Sequence, residues 1–146
     1  MILHCIGNTV FFRLERIMAT VSFILGGMSF EYDENKNRAN IKKHGIDFRI
    51  AARVFFDYDR IEAYDDAHSQ DEARYNTIGD TSAAKLFPEV AVIGVPCFPD
   101  DFEELLFVVY TDRVQRTVDG QKKDIIRLIS ARLATEFERG LYYGKF

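Results

Sequence analysis

Several residue types are scarce in this chain of 146 residues, and each scarcity excludes a class of protein. The two cysteines, Cys5 and Cys97, are too few for a disulfide framework and lack the spacing of a zinc site. Nine glycines and three prolines exclude a collagen-like or low-complexity chain. The longest apolar run near the N-terminus, residues 17–27, has eleven residues, whereas a bilayer span needs about 20. The chain also lacks a glycine-rich phosphate loop, which disfavours an α+β regulator of small ligands.

The residues that are plentiful predict one globular domain outside the membrane. Hydrophobic residues make up 47% of the chain and include 13 Phe and 7 Tyr, enough apolar mass to close a core. The basic residues near the N-terminus do not stand in the order of a secretory signal, and no Ala-x-Ala cleavage site follows them. We therefore expect a cytoplasmic protein.

Residues 1–27 differ in pattern from the rest of the chain and are interpreted as an N-terminal extension. Met28 is followed at once by Ser29–Asp33, which has the pattern of a strand that leads into a helix cap. The extension is either the product of a misassigned start codon or a dispensable strand or helix, and the alternative is an arm that associates with a membrane or binds a partner. The expected domain is residues 28–146, with an insertion at residues 81–103.

The pattern of apolar residues predicts an α+β domain. Two N-terminal helices come first, at residues 34–43 and from Asp47 to about Phe56, and a C-terminal helix follows Thr135. Between them we expect an antiparallel meander of about four strands, at residues 60–64, 74–79, 104–111 and 124–131. The apolar run at residues 90–95 lies between prolines, so it could add an edge strand within the insertion.

Charge is distributed unevenly along the chain. The net charge is −4, which by itself disfavours a nucleic-acid binder. Residues 113–146, however, carry eight basic and four acidic side chains, whereas residues 81–112 carry one basic and six acidic ones. The basic last quarter is either a solvated charged surface or an anion site built from the last hairpin and the C-terminal helix.

Three ordered stretches resemble the BrnT family of bacterial toxins. They are residues 30–36 running on to 43–48 (FEYDENK and KHGIDF), residues 108–113 (VVYTDR), and residues 126–132 (IRLISAR) followed by Ala134–Thr135 and Glu138–Arg139. The resemblance covers about residues 28–80 and 104–143. The chain departs from the family pattern in the extension, in the insertion and in a lengthened hairpin at residues 113–123.

The resemblance implies a function, a fold and a partner. BrnT proteins are ribonuclease toxins of type II toxin–antitoxin systems with a RelE-like fold, so the chain is expected to cleave RNA without a metal or cofactor and to inhibit growth. The expected partner is a ribbon–helix–helix antitoxin similar to BrnA, in a heterotetramer. The alternative is a catalytically silent relative that serves as a binding module for its antitoxin or another protein.

Metal-free RNA cleavage requires a proton-transfer group and positive charge at the phosphate, and the polar positions that match the family supply both. The expected catalytic residues are His68 for proton transfer and Arg74 and Arg132 as phosphate ligands. Residues expected to contact RNA are Lys43, Arg127, Ser130 and Tyr110. Five of these residues also have a purely structural interpretation. His68 would be an exposed loop histidine and Lys43 a solvated lysine, while Arg127 would pair with a neighbouring strand, Ser130 would be structural and Tyr110 would belong to the core.

Two further considerations limit this assignment. On a regular strand, Arg127 would share a face with Ile125 and Ile129, and Arg132 would point to the opposite side, so only a bulge or the strand end can aim both arginines the same way. The acidic residues around His68 suggest a metal site, but a solvated acidic loop is the better interpretation because nothing in the sequence fixes their geometry.

Overall fold

The computed structural model describes residues 19–82 and 104–144, which form a six-stranded sheet and three helices. The strands are β1 (Thr20–Leu25), β2 (Met28–Asp33), β3 (Ile61–Tyr64), β4 (Tyr75–Asp80), β5 (Leu105–Arg116) and β6 (Lys122–Leu133). The helices are α1 (Glu34–His44), α2 (Phe48–Ala51) and α3 (Glu136–Tyr143), with 3₁₀ turns at Ala52–Phe56 and Asp66–His68. The edge strand expected at residues 90–95 lies outside the described residues.

The α+β class is confirmed, and β3, β4, β5 and β6 form the expected antiparallel meander of four strands. The sheet differs from the expectation in having two further strands, β1 and β2, one of which is parallel to its neighbour. The strand order is β1-β2-β6-β5-β4-β3, and β2 runs parallel to β6 while every other neighbouring pair is antiparallel. The mixed sheet arises because β2 pairs with the last strand of the chain, Glu31 lying opposite Arg127. The α1 and α2 region, β3, β4 and β5 all lie between these two strands in sequence, as in a crossover connection.

The described part of the predicted N-terminal extension belongs to the sheet. Gly26 and Gly27 have φ angles of 53° and 80°, the left-handed values that a tight hairpin turn requires, and they connect β1 to β2. Leu25 is buried, and the ring of Phe23 stacks on Phe30 with 5.2 Å between centroids. Val21, Phe23 and Leu25 of β1 therefore contribute to the hydrophobic core.

The caps predicted for α1 and α3 are confirmed, whereas the second predicted helix begins after Asp47 as expected but ends as an α-helix at Ala51 and continues to Phe56 as a 3₁₀ turn. Asp33 accepts hydrogen bonds from the backbone N–H groups of Asn35 and Lys36, at 2.8 and 3.1 Å, and so begins α1. Gly45 ends α1 with a φ of 72°. Thr135 and Glu138 form a reciprocal capping box at the start of α3. These interactions are local in sequence, which is why the sequence reveals them.

One face of the sheet, here called the core face, carries the hydrophobic core. The α1–α2 region packs against it through residues such as Phe48, Val54 and Phe55, and the sheet contributes Phe30, Tyr32, Leu106, Val108, Leu128 and Ala131. The other side is called the second face. Since residues directly opposite one another on neighbouring strands point to the same side, the register assigns every strand residue to one of these faces.

Asn40 of α1 completes the edge of β6 where β2 ends. The pairing of β2 with β6 stops at Tyr32 and Leu128, because the chain then turns into α1. Three residues further along β6, the backbone N–H of Ala131 donates to Asn40 Oδ1 at 3.1 Å, and Asn40 Nδ2 donates to the Ala131 carbonyl at 2.8 Å. Asn40 Nδ2 also donates to the carbonyl of Ile46 at 2.9 Å. The buried side-chain amide thus pairs with β6 as a neighbouring strand would.

Candidate functional site

A β-bulge in β6 aims the candidate polar residues to one side of the sheet. Val109 lies opposite Ser130 but Tyr110 lies opposite Leu128, so Ile129 is an extra residue in the ladder. The shift places Leu128 and Ala131 together on the core face although they are three residues apart.

The same shift changes the orientation expected for the arginines of β6. Arg127, Ser130 and Arg132 lie opposite Thr111, Val109 and Phe107, and all three therefore point to the second face. Regular alternation would have placed Ser130 and Arg132 on the core face with Leu128. That prediction is wrong because the bulge shifts the alternation by one residue. On a regular strand Arg127 and Arg132 would point to opposite faces, so the bulge is what allows both to point to the second face.

A cavity of about 520 Å³ on the second face brings four of the predicted residues together. They are His68, Arg74, Ser130 and Arg132. The remaining lining comes from β4, β5, β6 and the loop before β4: Asp65, Asn76, Phe107, Val109 and Ile129. The cavity combines cations, a histidine and an apolar floor, a composition suited to an anionic ligand with flat apolar groups.

His68 is oriented by a carboxylate in its own loop. The His68 Nδ1 atom lies 3.0 Å from Asp65 Oδ2 and 3.2 Å from Asp65 Oδ1. The imidazole is 69% exposed, whereas the Asp65 side chain is only 13% exposed. An ionised carboxylate only accepts hydrogen bonds, so Nδ1 carries the proton in this contact and Nε2 is left as the ring nitrogen that can exchange a proton.

Backbone and hydroxyl hydrogen bonds close the loop that carries this pair. The backbone N–H of Asp65 donates to the carbonyl of Arg74 at 2.9 Å. Ser69 Oγ donates to the carbonyl of Asp65 and accepts from the backbone N–H of Arg74 at 2.9 Å. The loop from residue 65 to residue 74 is thereby tied at both ends, which keeps His68 next to Arg74.

Two polar atoms of the cavity lining have no hydrogen-bond partner within residues 19–82 and 104–144. They are Arg74 Nε and Asn76 Oδ1, both shielded from solvent. A buried polar group without a partner costs about 1–3 kcal/mol, so such groups are uncommon unless a ligand or water pairs with them. Their position in the same cavity as His68 is typical of a binding site.

Arg132 is engaged by the C-terminal helix. Its Nη1 and Nη2 atoms lie 2.7 and 2.9 Å from the two carboxylate oxygens of Glu138, a bidentate pair, and its guanidinium lies 4.2 Å from the centre of the Phe107 ring. Burial alone would raise the pKa of Glu138, but the hydrogen bonds from Arg132 and Thr135 lower it below its ordinary value. The Arg132 guanidinium in the site is therefore already bound to the Glu138 carboxylate.

The end of α1 adds positive charge near Arg132. Lys43 is exposed, and His44 follows it as the last residue of the helix. Burial lowers the pKa of His44, and the charges of Lys43 and Arg132 lower it further. His44 is thus affected by the charge of Arg132 on β6 as well as by that of its chain neighbour Lys43.

The other two predicted RNA contacts lie outside this cavity. Arg127 Nη1 binds Glu31 Oε1 at 3.2 Å, across the parallel β2–β6 pair, and Arg113 binds the same carboxylate at 3.5 Å. Tyr110 lies on the core face, where its buried ring packs edge-on against Phe55 with 4.9 Å between centroids. Burial raises the pKa of the Tyr110 phenol, so the group stays neutral.

A second cavity, of about 630 Å³, lies near the turn between β1 and β2 and contains none of the predicted residues. It is lined by Gly27, Met28, Ser29, Asp112, Lys123, Asp124 and Ile126. Within the described ranges, no group of three or more His, Cys, Asp or Glu side chains has the arrangement of a metal site. No helix of those ranges has the length and apolarity to cross a membrane.

Three residues of the site are not predicted as site residues from the sequence. Asp65 is one of several acids in its loop, and only the (i, i+3) spacing from Asp65 to His68 distinguishes it. Asn76 falls in a strand, where its direction depends on the register with β5. Glu138 is predicted as a capping residue, but its second role with Arg132 depends on how α3 folds back.

The fold and the cavity are those of a small α+β protein with a cationic, histidine-bearing site, and a comparison with protein families finds a match to part of the chain. Residues 32–94, 63 of the 146 residues, match the family described as "Ribonuclease toxin, BrnT, of type II toxin-antitoxin system". The resemblance predicted from the sequence is confirmed over this segment, which is therefore of the BrnT family. Among curated proteins, none matches the chain.

The family that matches this segment has a broad function and a kind of partner of its own. BrnT proteins are ribonuclease toxins, and a toxin of a type II system implies an antitoxin that pairs with it. The matched segment contains Lys43, His68 and Arg74, whereas Arg127, Ser130 and Arg132 of β6 lie beyond it. The cavity thus joins residues of the matched segment to residues of the last strand.

Proposed function

We propose that the protein is a metal-independent endoribonuclease toxin of a bacterial type II system, with a fold related to RelE, that inhibits growth in the cytoplasm. The observation that carries the proposal is the convergence of His68, Arg74, Ser130 and Arg132 on one cavity. The proposed partner is a ribbon–helix–helix antitoxin similar to BrnA, in a heterotetramer. The β1 strand belongs to the sheet, so experiments should use the whole chain.

The proposed reaction is attack of a ribose 2′-hydroxyl on the adjacent phosphorus. The 2′-oxygen–phosphorus bond forms and the bond from phosphorus to the 5′-oxygen breaks, which leaves a 2′,3′-cyclic phosphate and a 5′-hydroxyl. His68 Nε2 takes the proton of the 2′-hydroxyl, since Asp65 accepts the Nδ1 proton in a hydrogen bond. The leaving 5′-oxygen takes up a proton from solvent water, and His68 returns its proton to the solvent after the bond has broken. Arg74 and Arg132 stabilise the negative charge that develops on the phosphate oxygens.

Other cations of the site have supporting roles in this proposal. Lys43 and Arg127 lie beyond the cavity and would contact neighbouring phosphates of the same RNA. Ser130 lines the cavity, and its hydroxyl would donate a hydrogen bond to the bound RNA. Tyr110 packs on the core face, so we leave it out of the proposed RNA contacts.

A second candidate function is a catalytically silent binding module. The bidentate contact between Arg132 and Glu138 favours it, because it occupies the guanidinium that the reaction needs. The phosphate of the RNA and the Glu138 carboxylate compete for Arg132, and this competition decides between the two candidates. If the phosphate displaces the carboxylate, Arg132 becomes available for the reaction. Both candidates predict antitoxin binding, and only the first predicts cleavage.

Incubation of the antitoxin-free chain with end-labelled RNA in EDTA tests the proposal. We expect cleavage that Arg74→Ala and Arg132→Ala each reduce by about a hundredfold or more, because each removes a charge from the developing transition state. Arg38→Ala is the matched control, since Arg38 is an exposed arginine on α1. A folded wild-type protein that leaves RNA intact in EDTA but binds its antitoxin would favour the silent module.

Glu138→Gln should release Arg132 and tighten RNA binding. Glutamine retains the oxygen that accepts from the Thr135 backbone, so the cap of α3 persists, but the charge-assisted bond to Arg132 is lost. We expect affinity for RNA to rise about five- to tenfold, since an ionic hydrogen bond must no longer be broken first. Glu136→Gln, an exposed position in the same turn, is the control for charge removal. Equal affinity for the two variants would show that Glu138 does not compete with RNA.

A further inference from the structure

The hairpin of β5 and β6 extends beyond its neighbours in the sheet. β4 pairs with β5 only as far as Tyr110, and β2 pairs with β6 only from Ile125 onward. Residues 113–124 therefore form a two-stranded ribbon, here called the distal ribbon, with no neighbouring strand in the described part of the chain. Every residue of the distal ribbon is exposed. A ribbon of two strands is at best marginally stable in water by itself.

The end of the distal ribbon places like charges opposite each other. Arg116 lies directly opposite Lys122, and Lys123 follows on the other side of the ribbon, opposite Gln115. Cations that face each other across two strands repel and weaken the pairing. None of these three cations has an ion pair with any residue that the structure describes. Arg113, nearer the sheet, differs because Glu31 and Glu72 both bind it.

Acidic residues nearby do not neutralise this end. Asp124 lies opposite Val114, two pairs of residues closer to the sheet than Arg116 and Lys122, and Asp119 lies in the turn before Gly120. An anion bound between Arg116 and Lys122 would remove the repulsion and so stabilise the ribbon. The distal ribbon thus combines a marginally stable structure with cations that have no ion pair among the described residues, and an anionic ligand would stabilise it.

We propose that Arg116, Lys122 and Lys123 bind phosphates of the same RNA whose cleavage site lies in the cavity, an inference that rests on the proposed function. Arg132 in the cavity lies opposite Phe107, nine residues before Arg116 on β5, and at 3.3 Å per residue the two positions are about 30 Å apart. A dinucleotide that fits the cavity cannot reach the distal ribbon, whereas a long RNA can. Phosphate contacts carry no base specificity, so this site adds affinity and leaves sequence choice to the cavity.

The test measures how RNA binding depends on salt. With His68→Ala present throughout to prevent cleavage, the triple substitution Arg116→Gln, Lys122→Gln and Lys123→Gln should weaken binding of a long RNA about tenfold or more. It should also reduce the slope of log K against log salt by about 2, since each phosphate contact to a single strand contributes about 0.7. The control triple Lys36→Gln, Arg38→Gln and Lys42→Gln removes the same charge from exposed positions of α1 and should leave the slope unchanged.

A single substitution separates binding from folding. Lys122→Glu places an acid opposite Arg116, so it should raise the melting temperature or leave it unchanged while it weakens RNA binding. An unchanged slope in the Gln triple overturns the proposal, as does a triple variant that binds RNA normally but loses an acidic protein partner. Cleavage of a dinucleotide by the wild-type protein tests the proposed function separately, because that substrate cannot span both sites.

Discussion

Replacement of Asn40 by alanine is expected to lower the free energy of unfolding by about 3 kcal/mol, because it leaves three buried backbone groups without partners. Those groups are the N–H and C=O of Ala131 and the C=O of Ile46. Each unsatisfied buried group costs about 1–3 kcal/mol, and the helical preference of alanine returns less than 1 kcal/mol. Denaturant unfolding followed by circular dichroism measures the change.

Asn35→Ala provides the matched control for the Asn40 prediction. Asn35 lies on the same helix, but it is exposed, so the substitution should change the stability by less than about 0.5 kcal/mol. Asn40→Ala should also affect the rate of RNA cleavage at temperatures where the protein stays folded. The reason is that Ala131, which loses its hydrogen bonds to Asn40, lies between Ser130 and Arg132. Equal unfolding free energies for the two variants would contradict the role given to the Asn40 amide.

The features that the sequence predicts correctly depend on neighbouring residues. Asp33, Asp47 and Thr135 each bind backbone N–H groups two or three residues ahead, so a short window of sequence contains the whole interaction. The Asp119–Gly120 turn is of the same kind, with a φ of 78° at Gly120. The Gly26–Gly27 pair carried a similar hairpin signal for β1, which the interpretation of residues 1–27 as an extension overlooked.

The sheet order depends on residues far apart in sequence. β2 and β6 pair across 96 positions, from Glu31 to Arg127, and nothing in either strand specifies a parallel neighbour. Asn40 illustrates the same limit, because its partner Ala131 is 91 positions away. Such contacts are selected by the packing of the whole core, so a single strand pattern cannot reveal them.

The candidate site was predictable in composition but not in geometry. Residue type and family resemblance select His68, Arg74, Ser130 and Arg132, and the cavity contains all four. The bulge at Ile129 determines that Ser130 and Arg132 share a face with Arg127, and a bulge leaves no mark in the pattern of apolar residues. The pairing of Arg132 with Glu138 likewise follows from the position of α3.

Substitution of His68 should cause the largest loss of activity if the proposed cleavage takes place. General acid–base catalysis contributes about 10²–10⁴ in rate, so we expect His68→Ala to reduce single-turnover cleavage of RNA by that factor. RNA affinity should change little, because the imidazole is 69% exposed and Arg74 and Arg132 supply the charge of the cavity. Single-turnover rates and filter binding on the same preparations separate the two effects.

Asp65→Asn tests how His68 is positioned. An asparagine side chain fits the same space, but its NH₂ group can donate to Nδ1, which would favour the tautomer with the proton on Nε2 and deprive the reaction of its base. We expect a loss of about a hundredfold or more in cleavage rate, together with a change in the ¹⁵N shifts of the His68 ring in the free protein.

The control for Asp65→Asn is Asp66→Asn, which removes an equal charge from an exposed position in the same turn. It should leave both the ring shifts and the cleavage rate close to those of the wild type, because only Asp65 binds the imidazole at 3.0 Å. A change in ring shifts without a change in rate would mean that Asp65 orients His68 but that His68 does not transfer the proton. A change in neither would show that the 3.0 Å contact does not determine the tautomer.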